Sequence, residues 1–142
     1  MIHIERILTL KKSSLFDSVS LEKVSILAES LSERSFSSSE YILKEGDECR
    51  NLFLVAKGSV RLSYCGMDSI IGVGGSFGEL SLFNEEIPPL VALAEEDALV
   101  FEVEGDLYRK VLSEEFDVAE NLLRSLVCQI ISLAEKNRKE TL

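Results

Sequence analysis

The run Gly75-Ser76-Phe77-Gly78-Glu79-Leu80-Ser81-Leu82-Phe83 holds the residues whose types and spacing bear most directly on chemistry. A glycine at the entrance to a short helix lets backbone N–H groups approach an anion, with the partial positive charge of the helix dipole behind them. Gly78 stands in that place. A carboxylate one residue later, Glu79, can accept hydrogen bonds from a hydroxyl. The same residues also read as structure alone, with Phe77, Leu80, Leu82 and Phe83 as core and Gly78 and Glu79 as a turn and cap. Both readings stay open at this point.

Other reactive constellations are hard to find. The single histidine, His3, falls in a predicted N-terminal helix, so neither a histidine-rich metal site nor a Ser-His or Cys-His pair is expected. Cys49, Cys65 and Cys128 are widely spaced, odd in number and in no C-x-x-C pair, which predicts thiols rather than a disulfide framework or zinc site. Adjacent acids such as Glu85-Glu86 and Glu95-Glu96 read as solvated turns. The expectation is a non-enzyme without metal or cofactor.

Charge narrows the partners. The net charge is -10 and the isoelectric point about 4.6. Between Leu62 and Tyr108 there is no lysine or arginine but ten acids, so the excess lies in that one segment and the remainder is balanced. Nucleic-acid binding depends on basic patches that release counterions, so DNA and RNA are not expected partners. No apolar run reaches the ~18 residues of a membrane span; even Leu122 to Ala134 is broken by Arg124 and Gln129. Glu5 near the start and the lack of a long apolar stretch predict no secretory signal. The sequence therefore predicts a cytoplasmic protein with no membrane partner.

The elements that must position the Gly78 run follow from periodicity. Ile4, Ile7 and Leu8 predict a helix over about 3–11, and Ser20 as N-cap with Leu21, Val24, Leu27, Ala28 and Leu31 predicts a second ending near Ser32. From Tyr41 to Val103 short Val/Ile/Leu/Phe/Tyr segments alternate with turns such as Glu45-Gly46-Asp47, Lys57-Gly58, Cys65-Gly66 and Glu95-Glu96-Asp97. The fold class expected is mainly β with flanking helices: an antiparallel β-roll, or jelly-roll-like double-stranded β-helix, with N-terminal helices and a long C-terminal helix. One domain spans 1–142, divided into helices over 1–32, the roll over 33–103 and helices over 104–142. Glu104-Gly105-Asp106 is expected to cap a short helix. In the long helix from about Phe116 to Lys139, Phe116, Ala119, Leu123, Leu126, Ile130 and Leu133 form a heptad seam, and a homodimer through Leu123, Leu126, Ile130 and Leu133 is expected.

Two stretches carry a resemblance. Tyr41-Ile42-Leu43-Lys44-Glu45-Gly46-Asp47, followed by Leu52-Phe53-Leu54-Val55 and Gly58-Ser59-Val60-Arg61-Leu62, is similar to the opening of the cyclic-nucleotide-binding domain family of catabolite activator proteins, kinase regulatory subunits and cyclic-nucleotide-gated channels. The Gly75 to Phe83 run resembles the start of that family's phosphate-binding cassette. The resemblance implies a ligand site at Gly78, Glu79, Leu80 and Ser81, with Glu79 on a ribose hydroxyl. It also implies an arginine after the short helix, in a "P-R-[AS]-A-[TS]" run, to hold the cyclic phosphate. Here the run is Ile87-Pro88-Pro89-Leu90-Val91, and Pro88 or Pro89 stands where the arginine belongs. Losing a charge-assisted hydrogen bond to an anion costs about 1.5–3 kcal/mol, roughly ten- to a hundredfold in affinity. Arg50, Arg61 or Arg109 can replace it only if the fold brings one of them there.

Two functional expectations result. The first is a regulatory or dimerisation module that does not bind cyclic AMP or cyclic GMP in the usual way and binds a protein partner, or a ligand other than a standard cyclic nucleotide. The second is an atypical cyclic nucleotide receptor that relays binding through its C-terminal helices. DNA binding of the kind many relatives perform would need another polypeptide beyond Leu142.

Overall fold

A computed structural model describes residues 1–64, 66–83 and 89–141, without the side chains of 140 and 141. Cys65, Glu85, Glu86, Ile87 and Pro88, named above, lie outside the described residues. Two helices, α1 (His3–Leu10) and α2 (Leu21–Ser30), precede eight strands: β1 (Ser32–Phe36), β2 (Tyr41–Leu43), β3 (Asn51–Lys57), β4 (Val60–Tyr64), β5 (Met67–Ile71), β6 (Ser76–Phe77), β7 (Val91–Ala94) and β8 (Ala98–Glu104). Between β6 and β7 lies a single 3-10 turn, Leu80–Leu82; α3 (Gly105–Glu114) and α4 (Phe116–Thr141) follow β8. The strands form two antiparallel sheets, in the orders β1-β8-β3-β6 and β2-β7-β4-β5. The expected β-roll with helices at both ends is the observed architecture.

Strand β3 shows why the roll forms. Leu52, Leu54 and Ala56 point to one face and Phe53 and Val55 to the other, as the two-residue period of a strand requires. The first face packs with Phe101 and Val103 of β8 against Leu10, Leu27 and Tyr108 from the helices and Phe16 from the α1–α2 connection. The second packs with Val100 against Val60, Ala92 and Ala94 of the other sheet. Both faces are covered, which is why Leu52 to Ala56 reads as an unbroken apolar run rather than an alternating one. Each large side chain buried here contributes about 1.5–3 kcal/mol.

The ends of elements depart from expectation in informative ways. Ser20 caps α2 as predicted, accepting from the Lys23 N–H at 3.4 Å. Strand β1, with the polar sequence Ser-Glu-Arg-Ser-Phe, has no apolar alternation to announce it; it pairs with β8 from Ser32↔Glu102 to Phe36↔Ala98. Strand β5 runs Met67–Ile71, since register with β4 places Met67 opposite Tyr64. The Glu104 side chain makes no cap bond to α3. That cap comes from β3, where Asn51 Oδ1 accepts from the Gly105 N–H at 3.1 Å.

Candidate cyclic-nucleotide cassette

Strand β6 delivers the cassette. Ser76 and Phe77 pair with Leu54 and Phe53 of β3, and the Phe53 and Phe77 rings stack with centroids 5.0 Å apart. The chain then turns at Gly78, whose φ of +93° is open to glycine and strained for other residues. A Cβ there would also stand 2.5 Å from the Asn51 carbonyl oxygen and 2.9 Å from Cys49 Sγ. Gly78 is therefore needed for close approach of the cassette to β3. After Glu79 the 3-10 turn buries Leu82 but leaves Leu80 and Phe83 exposed, so only part of the apolar set read as core is core. A turn of three residues carries little of the dipole a longer helix would aim at an anion.

Beside the cassette lies a cleft of about 740 Å3. Its lining comes from two stretches of chain: the cassette segment gives Ser81, Pro89 and Leu90, and the segments leading into β3 and α3 give Gly46 to Asn51, Glu104 to Asp106 and Arg109. Its charged lining comprises the carboxylates of Asp47, Glu48, Glu104 and Asp106 and the guanidiniums of Arg50 and Arg109. Of the four residues expected at a ligand, Ser81 alone is among those lining residues. Leu80 points outward, and Gly78 and Glu79 sit behind.

Glu79 is 8% exposed, and its Oε2 has no hydrogen-bond partner among the described residues. Burial holds its carboxyl above the usual carboxylate range, a shift its own backbone N–H opposes only partly. Burial likewise pushes up the thiol of Cys49, which donates to the Asn51 carbonyl oxygen at 3.5 Å; the charge of Glu79 adds to that shift. The carboxyl of Glu79 is thus desolvated.

The three candidate arginines separate. Arg61 lies on β4, where Nε and Nη2 donate to the two oxygens of Glu95 at 2.8 and 2.9 Å, and it is not among the lining residues. Arg50 lines the cleft and is paired with Glu48 at 2.7 Å. Arg109 lines it too, donates to the Leu82 carbonyl oxygen and lies 3.6 Å from Asp106. Both cleft arginines are thus already engaged. Pro89 is on the wall, at one of the two positions where the resemblance requires the arginine; Pro88, the other, lies outside the described residues.

A wider concavity of about 930 Å3 lies elsewhere, between the α1–α2 connection and α4, lined by Ser14, Ser18, Arg124 and Cys128 among others. It includes no cassette residue. Helix α4 itself is divided. Val118 and Leu122 are buried and Leu126 is half-buried against the core, while Asn121 accepts from Ser18 Oγ at 2.6 Å and Lys23 bridges Glu115 and Asp117 at 3.0 Å each. From Val127 to Lys139 every residue is exposed. The seam of the sequence reading is corrected at one position, since Leu126 faces its own domain. The exposed stripe is Leu123, Val127, Ile130 and Ala134, with Leu133 beside it.

Sequence reasoning missed Asn51 and Tyr108. Asn51 caps a helix 54 residues later, for which no local signal exists. Tyr108 had a signal, for it follows Gly105 by three residues on the face that packs inward, and it is fully buried.

Comparison with known proteins bears on this geometry. The cyclic nucleotide-binding domain family matches residues 33–115. The chain is 28% identical over 109 residues to the cAMP-dependent protein kinase regulatory subunit of Debaryomyces hansenii, a match covering 75% of this chain and 24% of that protein. The chain thus spans about a quarter of the length of that relative. Among solved structures it is similar to the catabolite activator protein of Thermus thermophilus, at 27% identity and TM-score 0.75, covering 89% of this chain and 62% of that one. It also shares the fold of the sensor domain of the transcriptional regulator DNR from Pseudomonas aeruginosa, at 17% identity and TM-score 0.76, covering 94% and 95%. With the family matched across more than half its length and the roll, cassette and closing helices in place, this chain belongs to the cyclic nucleotide-binding domain family, whose relatives named here are regulatory proteins.

Proposed function

We propose that this chain is a non-catalytic regulatory or dimerisation module that does not hold cyclic AMP or cyclic GMP in the family's usual way. The observation that carries the reading is the lining of the cleft: it includes Pro89, at one of the two positions where the resemblance implies the phosphate-binding arginine, together with Leu90, four carboxylates and two engaged guanidiniums. An anion entering there loses a charge-assisted partner and meets like charge. The buried carboxyl of Glu79 supports the same conclusion.

Thermal unfolding tests it. A ligand at a hundred times its Kd stabilises by about 2.7 kcal/mol, enough to raise Tm by several degrees in a domain of this size. One millimolar cyclic AMP or cyclic GMP is expected to leave Tm unchanged, and a rise of several degrees with either overturns the reading. The module acts in the cytoplasm on a protein partner and pairs with a second copy through Leu123, Val127, Ile130 and Ala134. Among the described residues no helix is long and apolar enough to cross a membrane.

A second reading, an atypical receptor, is favoured by one observation: Arg50 and Arg109 both line the cleft. In that reading a ligand draws one guanidinium away from its present partner and shifts α3 and α4.

A further inference from the structure

Helix α3 turns one face toward the cassette. Gly105, Tyr108 and Arg109 are spaced i, i+3 and i+4, the spacing of neighbours on a helix surface. Gly105 brings the helix start so close that a Cβ on it would lie 2.8 Å from Leu82 Cδ2. The Arg109 guanidinium donates to the carbonyl oxygen of the same leucine. Tyr108 lies on that face, fully buried, and its hydroxyl has no hydrogen-bond partner among the described residues. Oε2 of Glu79, immediately before the 3-10 turn, is in the same condition.

Two orphaned buried polar atoms on two touching segments call for a common explanation. Leu82, three residues after Glu79, is held by Arg109, next to Tyr108, so the two groups lie on segments already in contact; burial, with the charge of Glu79 adding to it, raises the Tyr108 phenol above its ordinary value. A protonated carboxyl donates and accepts, and so does a phenol, so each can supply what the other lacks. Left alone, each buried atom would weaken folding by on the order of tenfold or more.

The geometry points to a polar latch: the Glu79 carboxyl and the Tyr108 hydroxyl are each other's hydrogen-bond partners, joined by side-chain rotation across the contact between cassette and α3. The side chain for which the family implies a ligand role is then tied to the helix that leads into α4. Any hydroxyl ligand competes with Tyr108 for Glu79, and release of Glu79 frees α3 at one of its three attachments. This goes beyond the proposed function and holds whether or not a cyclic nucleotide binds.

Hydrogen exchange on the full chain tests the latch, using Tyr108→Phe, Glu79→Met and the double variant. Each single substitution leaves one buried polar atom alone, and the amides from Gly78 to Phe83 are expected to exchange on the order of tenfold faster relative to those of β8. In the double variant both ends are apolar, and exchange is expected to return to within about threefold of wild type. Cassette exchange at the wild-type rate in Tyr108→Phe overturns the latch. So does a double variant whose acceleration is the product of the two singles. Should Glu79→Met fail to fold, the Tyr108→Phe result decides alone, since the ring stays in the core.

Discussion

The two walls of the cleft have fared differently. On the β3–α3 wall the fit is close: Asn51 caps α3, Gly105 sits against the Arg50 carbonyl, and Arg109 and Gly78 bring the cassette in beside them. On the opposite wall Pro89 is exposed, Leu90 is half-buried, and neither brings charge to the cleft. The difference teaches that the fold's internal joints and its ligand chemistry are separable. The joints are satisfied by backbone approach and packing, which any member of the fold needs. In the proposed reading the phosphate contact is one side chain on the segment before β7, and its loss costs the core nothing.

Gly105→Ala is the harshest test of that contrast. Its Cβ would lie 2.0 Å from the Arg50 carbonyl oxygen, a backbone atom that cannot step aside. Urea unfolding is expected to show a loss of about 3 kcal/mol, whereas Pro89→Ala on the other wall should stay within about 0.5 kcal/mol of wild type. Equal losses would erase the distinction between the walls.

Helix α4 allows a second, smaller contrast. Leu126→Glu puts a charge against the core and is expected to lower stability by about 2 kcal/mol, while Val127→Glu, one residue on, leaves stability nearly unchanged and abolishes self-association in sedimentation. A wild-type chain that sediments as a monomer at high concentration removes the pairing claim. Dissociation by Leu126→Glu with no loss of stability would restore the original seam.

The gentlest probe is pH. The folded-state pKa of Glu79 is raised by burial above its ordinary 4.5, so its contribution to stability is fully present below that value and is lost as pH rises through the folded pKa. Glu79→Gln removes this titration. Its stability relative to wild type is expected to improve as pH is raised from 4 through neutrality, read by urea unfolding at each pH. A pH-independent difference would mean that the carboxyl is solvated, like those on the cleft wall.

How much of this was legible depends on the range of each interaction. The roll was legible because β3 and β8 are short apolar runs bounded by turn residues, and the cassette because Gly78 must be glycine for a backbone reason. Strand β1 was not, since Ser32 to Ser35 gain their place from pairing with β8 rather than from apolar faces. Residues 122 to 134 fit two apolar stripes one position apart. Only docking through Ser18–Asn121 and Lys23–Asp117 decides that Leu126 turns inward and Val127 outward. The cassette also meets α3, where Arg109 donates to the Leu82 carbonyl oxygen 27 positions away, a contact that no local pattern encodes.

The central claim is that the scaffold persists while its anion contact is gone. Isothermal titration of cyclic AMP into wild type, Pro88→Arg and Pro89→Arg tests it most directly. Wild type is expected to give no binding heat at ligand concentrations up to about 100 μM, and the arginine variant in correct register to gain at least tenfold in affinity. Micromolar binding by wild type would contradict the account.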